Sequence, residues 1–183
     1  VNAEFQLPYG FMLSVGAMYT RDIYNVVQKN MNEKAPSGTY NEQPGRVYWT
    51  KNNYYDNPKT KTVIQLTNGD EKGYQYSFNA VLTKKFDFGF TGSFGYTYTM
   101  AKDMTANPGS SAASVWQNNV AVNSLNDPGV SYSLFSTPHR LIANASYEVA
   151  YANMKTTVSL FYTGYQQGRF SYTYSNDMLS LIH

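Results

Sequence analysis

The sequence contains no cysteine, which excludes disulfide bonds and metal sites built from thiolates. Charged residues make up only 14% of the chain, and the net charge of +2 is too small to indicate a nucleic-acid partner. There is no run of about 18 apolar residues, so the sequence predicts no transmembrane helix. The mean hydropathy of −0.47 decides nothing further, since half of the strand residues of a membrane β-barrel are polar.

Candidates for catalysis or metal binding are equally scarce. His139 and His183 are the only histidines, and neither has a partner at metal-ligand spacing. A single histidine does not specify a catalytic site, and His139 is interpreted as the start of a strand beside Arg140. The loop Asp and Asn residues lack the spacing of a calcium-binding EF-hand. We therefore predict a protein that is not an enzyme and that uses no cofactor or metal.

Aromatic residues, by contrast, are abundant, and they follow a pattern. Between residues 73 and 104, large apolar side chains stand at even positions and polar or small ones at odd positions. Successive side chains of a strand point to opposite faces, so this alternation predicts β-strands with one apolar face. The large or apolar members of the pattern are Tyr74, Tyr76, Phe78, Ala80, Leu82, Phe90, Phe94, Tyr96, Tyr98 and Met100.

A break at Asp87-Phe88-Gly89 divides this stretch into a hairpin. Both strands keep their even residues on one face only if the turn holds an odd number of residues. A three-residue turn fits, with Gly89 where a positive φ is needed. Each strand is about a dozen residues long and would rise roughly 30 Å if tilted by ~40°, the thickness of a bilayer's hydrocarbon core. The apolar face therefore needs a cover, either a second sheet or lipid.

Two further hairpins are predicted, one on each side of the central one. Residues 1–22 alternate around Pro8-Tyr9-Gly10, again a three-residue turn with Gly10 at the positive-φ position. In residues 141–162, odd positions face even ones, so the turn holds an even number, either the four residues 150–153 or their inner pair. A short strand is predicted at residues 63–67, and another strand begins at residues 170–174.

The connections alternate between short and long. Three tight turns separate two long loops at about residues 25–72 and 102–137, as in outer-membrane barrels with short periplasmic turns and long extracellular loops. Tyrosines gather near the predicted strand ends, as in an interfacial aromatic belt. The sequence thus predicts an all-β fold, an antiparallel up-and-down transmembrane β-barrel segment of about seven strands in a Gram-negative outer membrane. The polar face (Gln75, Ser77, Asn79, Thr91, Ser93, Thr97 and Thr99) is expected to line the lumen.

Four aromatic residues in the long loops are the candidate ligand-binding residues. Trp49, Tyr54, Tyr55 and Trp116 could stack on a ligand at the extracellular mouth. The alternative is that they pack the loops together or lie at the membrane interface.

Several segments resemble the C-terminal half of TonB-dependent outer-membrane receptors of Bacteroidetes, especially the Oar-like group. Their order and spacing, from Leu66 to Asp177, carry the resemblance. These segments are Leu66-Thr67-Asn68, Lys72-Gly73-Tyr74, Leu82-Thr83-Lys84-Lys85-Phe86, Gly95-Tyr96-Thr97-Tyr98-Thr99, Ala101-Lys102-Asp103, Ser114-Val115-Trp116, His139-Arg140, Ser159-Leu160-Phe161-Tyr162 and Tyr172-Thr173-Tyr174-Ser175-Asn176-Asp177.

The resemblance implies a 22-stranded barrel, filled by an N-terminal plug domain, that imports a scarce ligand with energy delivered by TonB. Its partners would be outer-membrane lipid, the plug and, through it, TonB. This chain (residues 1–183) contains no plug, and its end from Met178 to His183 departs from the family, so we expect a partial, truncated barrel domain. The alternatives are a passive porin or barrel adhesin, and a soluble β-sandwich that binds glycans.

Overall fold

The computed structural model describes residues 1–41, 45–49, 54–55 and 62–172. Two compact units are present, and each is described by itself. The first comprises Val1–Val27, Asn68–Met104 and Gly129–Gly168, and the second comprises the described parts of Gln28–Thr67, Thr105–Pro128 and Arg169–His183. The elements in chain order are β1 (Asn2–Leu7), a 3-10 turn (Pro8–Gly10), β2 (Phe11–Arg21), β3 (Val26–Asn30), β4 (Gly38–Thr39), β5 (Val47–Tyr48), β6 (Ile64–Asn68), β7 (Tyr74–Lys85), β8 (Phe90–Asp103), α1 (Ala112–Asn118), β9 (Ser131–Tyr132), β10 (His139–Tyr151) and β11 (Met154–Tyr165).

The first unit is a seven-stranded sheet in the order β1-β2-β7-β8-β10-β11, with β9 also paired to β8. Every pair of neighbouring strands is antiparallel. The strands β7, β8, β10 and β11 are 12 to 14 residues long, about twice the usual length of ~5–6 residues. The predicted all-β antiparallel fold is therefore confirmed. Among the described residues β1 and β11 form two open edges, and the sheet is not closed into a barrel.

The central hairpin has the predicted register. Lys85 faces Thr91 and Tyr74 faces Lys102, so even residues face even residues along its whole length. The Phe86 N–H donates to the Phe90 carbonyl (2.8 Å) and closes the three-residue turn. Gly89 has φ of +91°, as its place in the turn requires. In addition, the Gly89 carbonyl accepts a hydrogen bond from the Glu148 N–H (2.9 Å), which ties the turn to β10.

The turns of the other two hairpins hold an odd and an even number of residues, as predicted. One of these turns lies at a different position from the prediction. Leu7 faces Phe11 across Pro8-Tyr9-Gly10, and Gly10 has the predicted positive φ, although Tyr9 has one too. In the last hairpin Tyr151 faces Met154, so the turn is the pair Ala152-Asn153. Both predicted positions, 150–153 and its inner pair, were therefore wrong by one residue. Ala152 adopts φ of +49°, a conformation that local sequence gave no reason to expect of alanine.

The two long loops contain more structure than expected, most of it in the second unit. The predicted short strand is present as β6, and it pairs with β3, while β4 pairs with β5. The serine-rich stretch expected to be loop begins α1, where Ser111 and Ser114 form a reciprocal capping box. Residues 170–172 are not a strand, so that prediction was wrong there, and residues 173–174 lie outside the described part of the chain.

Buried apolar side chains are few in the described ranges. In the first unit Val27 and Met104 are buried, and in the second Val115 and Trp116. A Cβ on Gly69 would collide with the side chains of Val27 and Met104, so the first cluster leaves no room for a larger residue. Soluble domains of this size bury far more apolar surface than these two clusters provide. The seven-stranded sheet is therefore not organised around an internal hydrophobic core.

Gly89→Val is expected to destabilise the sheet more than Gly10→Val. Both glycines have positive φ, which costs roughly 1–2 kcal/mol for a residue with a Cβ. At Gly89 a Cβ would also collide with the Glu148 carbonyl oxygen, whereas at Gly10 nothing lies within 4 Å. We expect an additional loss of roughly 1–3 kcal/mol at Gly89. Urea unfolding followed by far-ultraviolet circular dichroism checks this, and equal losses at both sites would contradict the role of the Glu148 contact.

Candidate functional site

The register of the sheet collects the large apolar side chains on one face. This face consists of the odd-numbered residues of β2 and β10 and the even-numbered residues of β7, β8 and β11. The register places these residues opposite one another on neighbouring strands. We call this surface the apolar face. Its large members are Phe5, Leu7, Phe11, Leu13, Val15, Tyr19, Tyr74, Tyr76, Phe78, Leu82, Phe90, Phe94, Tyr96, Tyr98, Met100, Leu141, Tyr147, Val149, Tyr151, Met154, Val158, Leu160 and Tyr162.

None of these side chains is buried, and most of them are exposed although they are apolar. Phe78 on β7 is 54% exposed, Phe94 on β8 is 53% exposed, and Leu160 on β11 is 71% exposed. A contiguous apolar surface of this extent indicates contact with another apolar phase, because its full exposure to water would be strongly unfavourable in free energy. The apolar face is therefore the principal candidate functional surface of the first unit.

Aromatic rings mark both ends of the apolar face. All three tight turns lie at one end of the sheet, here called the turn end, and the long connections leave from the other, the loop end. At the turn end the Phe86 and Phe90 rings are 5.6 Å apart between centroids, and Phe88 stacks on Phe90 at 6.2 Å. At the loop end the Tyr76 ring lies 6.2 Å from that of Tyr98. The middle of the face carries mainly aliphatic, small and phenylalanine side chains.

The opposite face is polar along most of its length. It carries the Gln, Ser, Asn and Thr residues that were expected to line a lumen, together with the ion pair between Lys155 Nζ and Glu148 Oε1 (2.9 Å). A few apolar residues, Met12, Met18, Val81, Ile142 and Phe161, interrupt it. One face of these strands is thus suited to an apolar environment and the other to a polar one.

In the second unit, the four predicted loop aromatics attach to one short segment, Asn30 to Lys34. The Trp49 indole N–H donates to the Lys34 carbonyl (2.8 Å). Tyr54 forms an isolated β-bridge with Glu33, and the Tyr55 N–H donates to the Asn32 carbonyl (2.9 Å).

Trp116 reaches the same segment through Asn126. The indole N–H of Trp116 donates to Asn126 Oδ1 (2.9 Å). Asn126 Oδ1 also accepts from the Asn30 N–H (2.6 Å), and its Nδ2 donates to the Asn30 carbonyl (3.0 Å). Trp116 is only 4% exposed, so it supports the packing of the unit. Of the four aromatics, Tyr55, at 65% exposed, presents its ring most openly to a ligand.

Asn30 and Asn126 are the central residues that the sequence did not reveal. Asn30 is 1% exposed, and its Oδ1 accepts from the N–H groups of Asn32 and Val63 (both 3.1 Å). A buried amide is favourable only when its hydrogen bonds are made. Asparagine in an Asn-rich stretch is typical of exposed loops, so no local signal separates these two from their neighbours.

Histidine chemistry finds no support in the described residues. His139 Nδ1 lies 2.7 Å from the Tyr96 hydroxyl oxygen, and its ring is 5.3 Å from that of Tyr98. His139 begins β10 at the loop end, as interpreted from the sequence, and His183 lies outside the described ranges. No group of three His, Asp or Glu side chains in the described part could hold a metal ion.

No family model matches the chain, and neither a curated protein nor a solved structure is similar enough to count as a match. In the ranges that the structure describes, no helix is both long and apolar enough to cross a bilayer. The resemblance to TonB-dependent receptors stays a prediction.

Asn126→Ala is expected to destabilise the second unit by roughly 1–3 kcal/mol. The substitution leaves the Trp116 indole and the Asn30 backbone without their partners, and unsatisfied buried groups carry this cost. Both tryptophans of the protein lie in this unit, so urea unfolding followed by tryptophan fluorescence measures it. The control is Asn123→Ala at an exposed position, which should change the free energy of unfolding by less than about 0.5 kcal/mol.

Glu33→Gln is expected to stabilise the second unit at neutral pH. Burial raises the pKa of the Glu33 carboxyl above its ordinary value of 4.5. The folded state therefore binds this proton more tightly than the unfolded state, and stability falls as the pH rises from about 4.5 through the folded-state pKa. The variant avoids this loss, so it should exceed the wild type at pH 7 and equal it well below pH 4.5. Asp127→Asn, which removes an exposed carboxylate of the same unit, is the control, and an equal gain in stability in that variant would contradict the role of burial at Glu33.

Proposed function

We infer that this chain is a segment of an outer-membrane β-barrel, with its apolar face toward lipid and its polar face toward the barrel interior. The observation that carries this inference is one exposed apolar face that continues in register over six strands. Lipid is the apolar phase that accepts a wide single-layer sheet, provided that the backbone hydrogen bonds are made within the sheet.

The height of the apolar face supports the assignment. Tyr76 at the loop end and Phe86 at the turn end lie on β7 and its turn, ten residues apart. At ~3.3 Å per residue and a tilt of ~40°, they are separated by roughly 25 Å across the bilayer. Outer-membrane barrels carry an apolar band of about this height, with aromatic residues at both borders.

The arrangement of connections supports an orientation. Tight turns lie at one end and both long connections leave from the other. In outer-membrane barrels this pattern corresponds to a turn end in the periplasm and long connections outside the cell, and we propose the same orientation here. Among the candidate aromatics carried by these connections, Tyr55 is the most exposed.

Within the barrel class, the resemblance to TonB-dependent receptors favours active import of a scarce ligand. In that arrangement the polar face contacts a plug domain, which in turn engages TonB. A passive porin shares the strand pattern and has no plug. The gene upstream of Val1 tests this part of the proposal, because an import receptor requires an encoded plug domain there and a porin does not.

The soluble sandwich is less well supported. A sandwich needs a second layer on its apolar face, whereas Phe78, Phe94 and Leu160 are each more than half exposed. A monodisperse monomer with a cooperative thermal transition in buffer without detergent would nevertheless refute the barrel assignment.

Ala143→Arg is expected to oppose folding into lipid vesicles. Ala143 lies between Phe94 and Tyr162 in the middle of the apolar face. An arginine at the bilayer midplane of a barrel costs roughly 2–4 kcal/mol. Urea titration of the chain folded in phosphatidylcholine vesicles measures the loss.

The matched control is Asn144→Arg, one residue along β10 and on the opposite face. It introduces the same side chain into a polar environment, and we expect it to cost less than about 1 kcal/mol. Equal costs for the two variants would contradict the assignment of the apolar face to lipid.

A further inference from the structure

The few charges on the apolar face share one sign. On strands β1, β2, β7, β8, β10 and β11, three formally charged side chains lie on this face, and all are cationic: Arg21, Lys84 and Lys102. The carboxylates of the same strands all lie on the opposite face. These are Glu4, Asp103 and Glu148.

The three cations lie near the two ends of the apolar face and not in its middle. Arg21 and Lys102 stand on either side of Tyr74 at the loop end, in one cross-strand row. Lys84 stands ten residues from Tyr74 on β7, near the turn end. Ten residues of a tilted strand span roughly 25 Å. With the lengths of their side chains added, the cationic groups reach the two headgroup layers of a bilayer whose total thickness is roughly 40–45 Å.

Aromatic rings hold the two lysines at these ends. Lys84 Nζ is 4.4 Å from the ring centroids of both Phe11 and Phe86, and Phe86 belongs to the turn end. Lys102 Nζ is 4.9 Å from the ring centroid of Tyr132. A ring contact orients an ammonium group but supplies no counter-ion, so it leaves room for an external anion.

Within the described ranges, no carboxylate forms an ion pair with these cations. The ion pair that the described residues contain joins Lys155 and Glu148 on the polar face, and none of Arg21, Lys84 and Lys102 takes part in one. Ammonium and guanidinium groups bind phosphate oxygens through charge-assisted hydrogen bonds. At the border of an apolar surface, the phosphate that this arrangement fits is that of a lipid headgroup.

We propose that the apolar face binds phosphate-bearing membrane lipids in both leaflets, with Lys84 contacting headgroups at the turn end and Arg21 and Lys102 contacting them at the loop end. The proposal rests on the proposed function, because it requires the apolar face to meet lipid. It adds a preference for the headgroup, which lipid-facing apolar residues alone do not provide.

The test compares vesicles of phosphatidylglycerol with vesicles of digalactosyldiacylglycerol, whose headgroup is uncharged and lacks phosphate. The full chain is refolded with each, and its partition constant is measured by flotation. A basic residue near an anionic surface raises partitioning by about fivefold. We expect the triple variant Arg21→Gln, Lys84→Gln, Lys102→Gln to reduce the preference for phosphatidylglycerol by at least about tenfold, with little change in binding to the galactolipid.

The matched control is Lys85→Gln, Arg140→Gln, Lys155→Gln, which removes the same net charge from the polar face of the same strands. This variant should keep most of the wild-type preference. Equal losses in the two triple variants would show attraction by overall charge and would overturn the proposal. Retention of the preference in the apolar-face variant would overturn it too.

Two further outcomes separate this proposal from the proposed function. If the wild type partitions equally into both kinds of vesicle, the headgroup preference is refuted while the lipid-facing assignment stands. If it partitions into neither, both fail. Inorganic phosphate, added at matched ionic strength, should leave the preference within about twofold. Loss of the preference for phosphatidylglycerol on adding phosphate would identify free phosphate as the occupant and would overturn the assignment to lipid.

Discussion

The pleat of a β-strand sends successive side chains to opposite faces, and the sheet of this protein depends on keeping that alternation in phase across six strands. The phase is set by the number of residues in each turn. A change of one residue at a turn would exchange the faces of the following strand and mix apolar with polar side chains. The lengths of the turns at Gly10, Gly89 and Ala152 therefore decide which side chains lie on each surface.

Much of this sheet could be predicted, because alternation and turn chemistry are both local. The strands around Gly89 and the turn before Phe11 follow from residues close together in sequence. The last hairpin shows the limit of such reasoning. Parity required an even turn and permitted several registers two residues apart, and pairing along the whole of β10 and β11 selected the turn at Ala152-Asn153. That choice of register depends on contacts between residues far apart in the hairpin. The turn propensities of single residues carry no information about such contacts.

The second unit was much less predictable, for a physical reason. It is held by an amide network around Asn30 and Asn126, and asparagine has the same local preferences whether it is buried or exposed. Partners of Asn30 come from as far as residue 126, and sequence spacing does not indicate them. The aromatic candidates illustrate the same point. Trp116 looked equivalent to Tyr55 in a polar loop, yet one is enclosed by the network and the other is exposed.

The connections after β2 and after β8 each leave the sheet and return to it at the same end. Residues inserted into either connection would therefore leave the pairing of β1, β2, β7, β8, β10 and β11 unchanged and would not shift the faces of these strands. Loop closure adds only about 0.6 kcal/mol for each doubling of length. Such a sheet allows its two long connections to diverge rapidly in evolution while the paired strands stay under a nearly constant constraint. Sequence divergence should accordingly concentrate in these two connections.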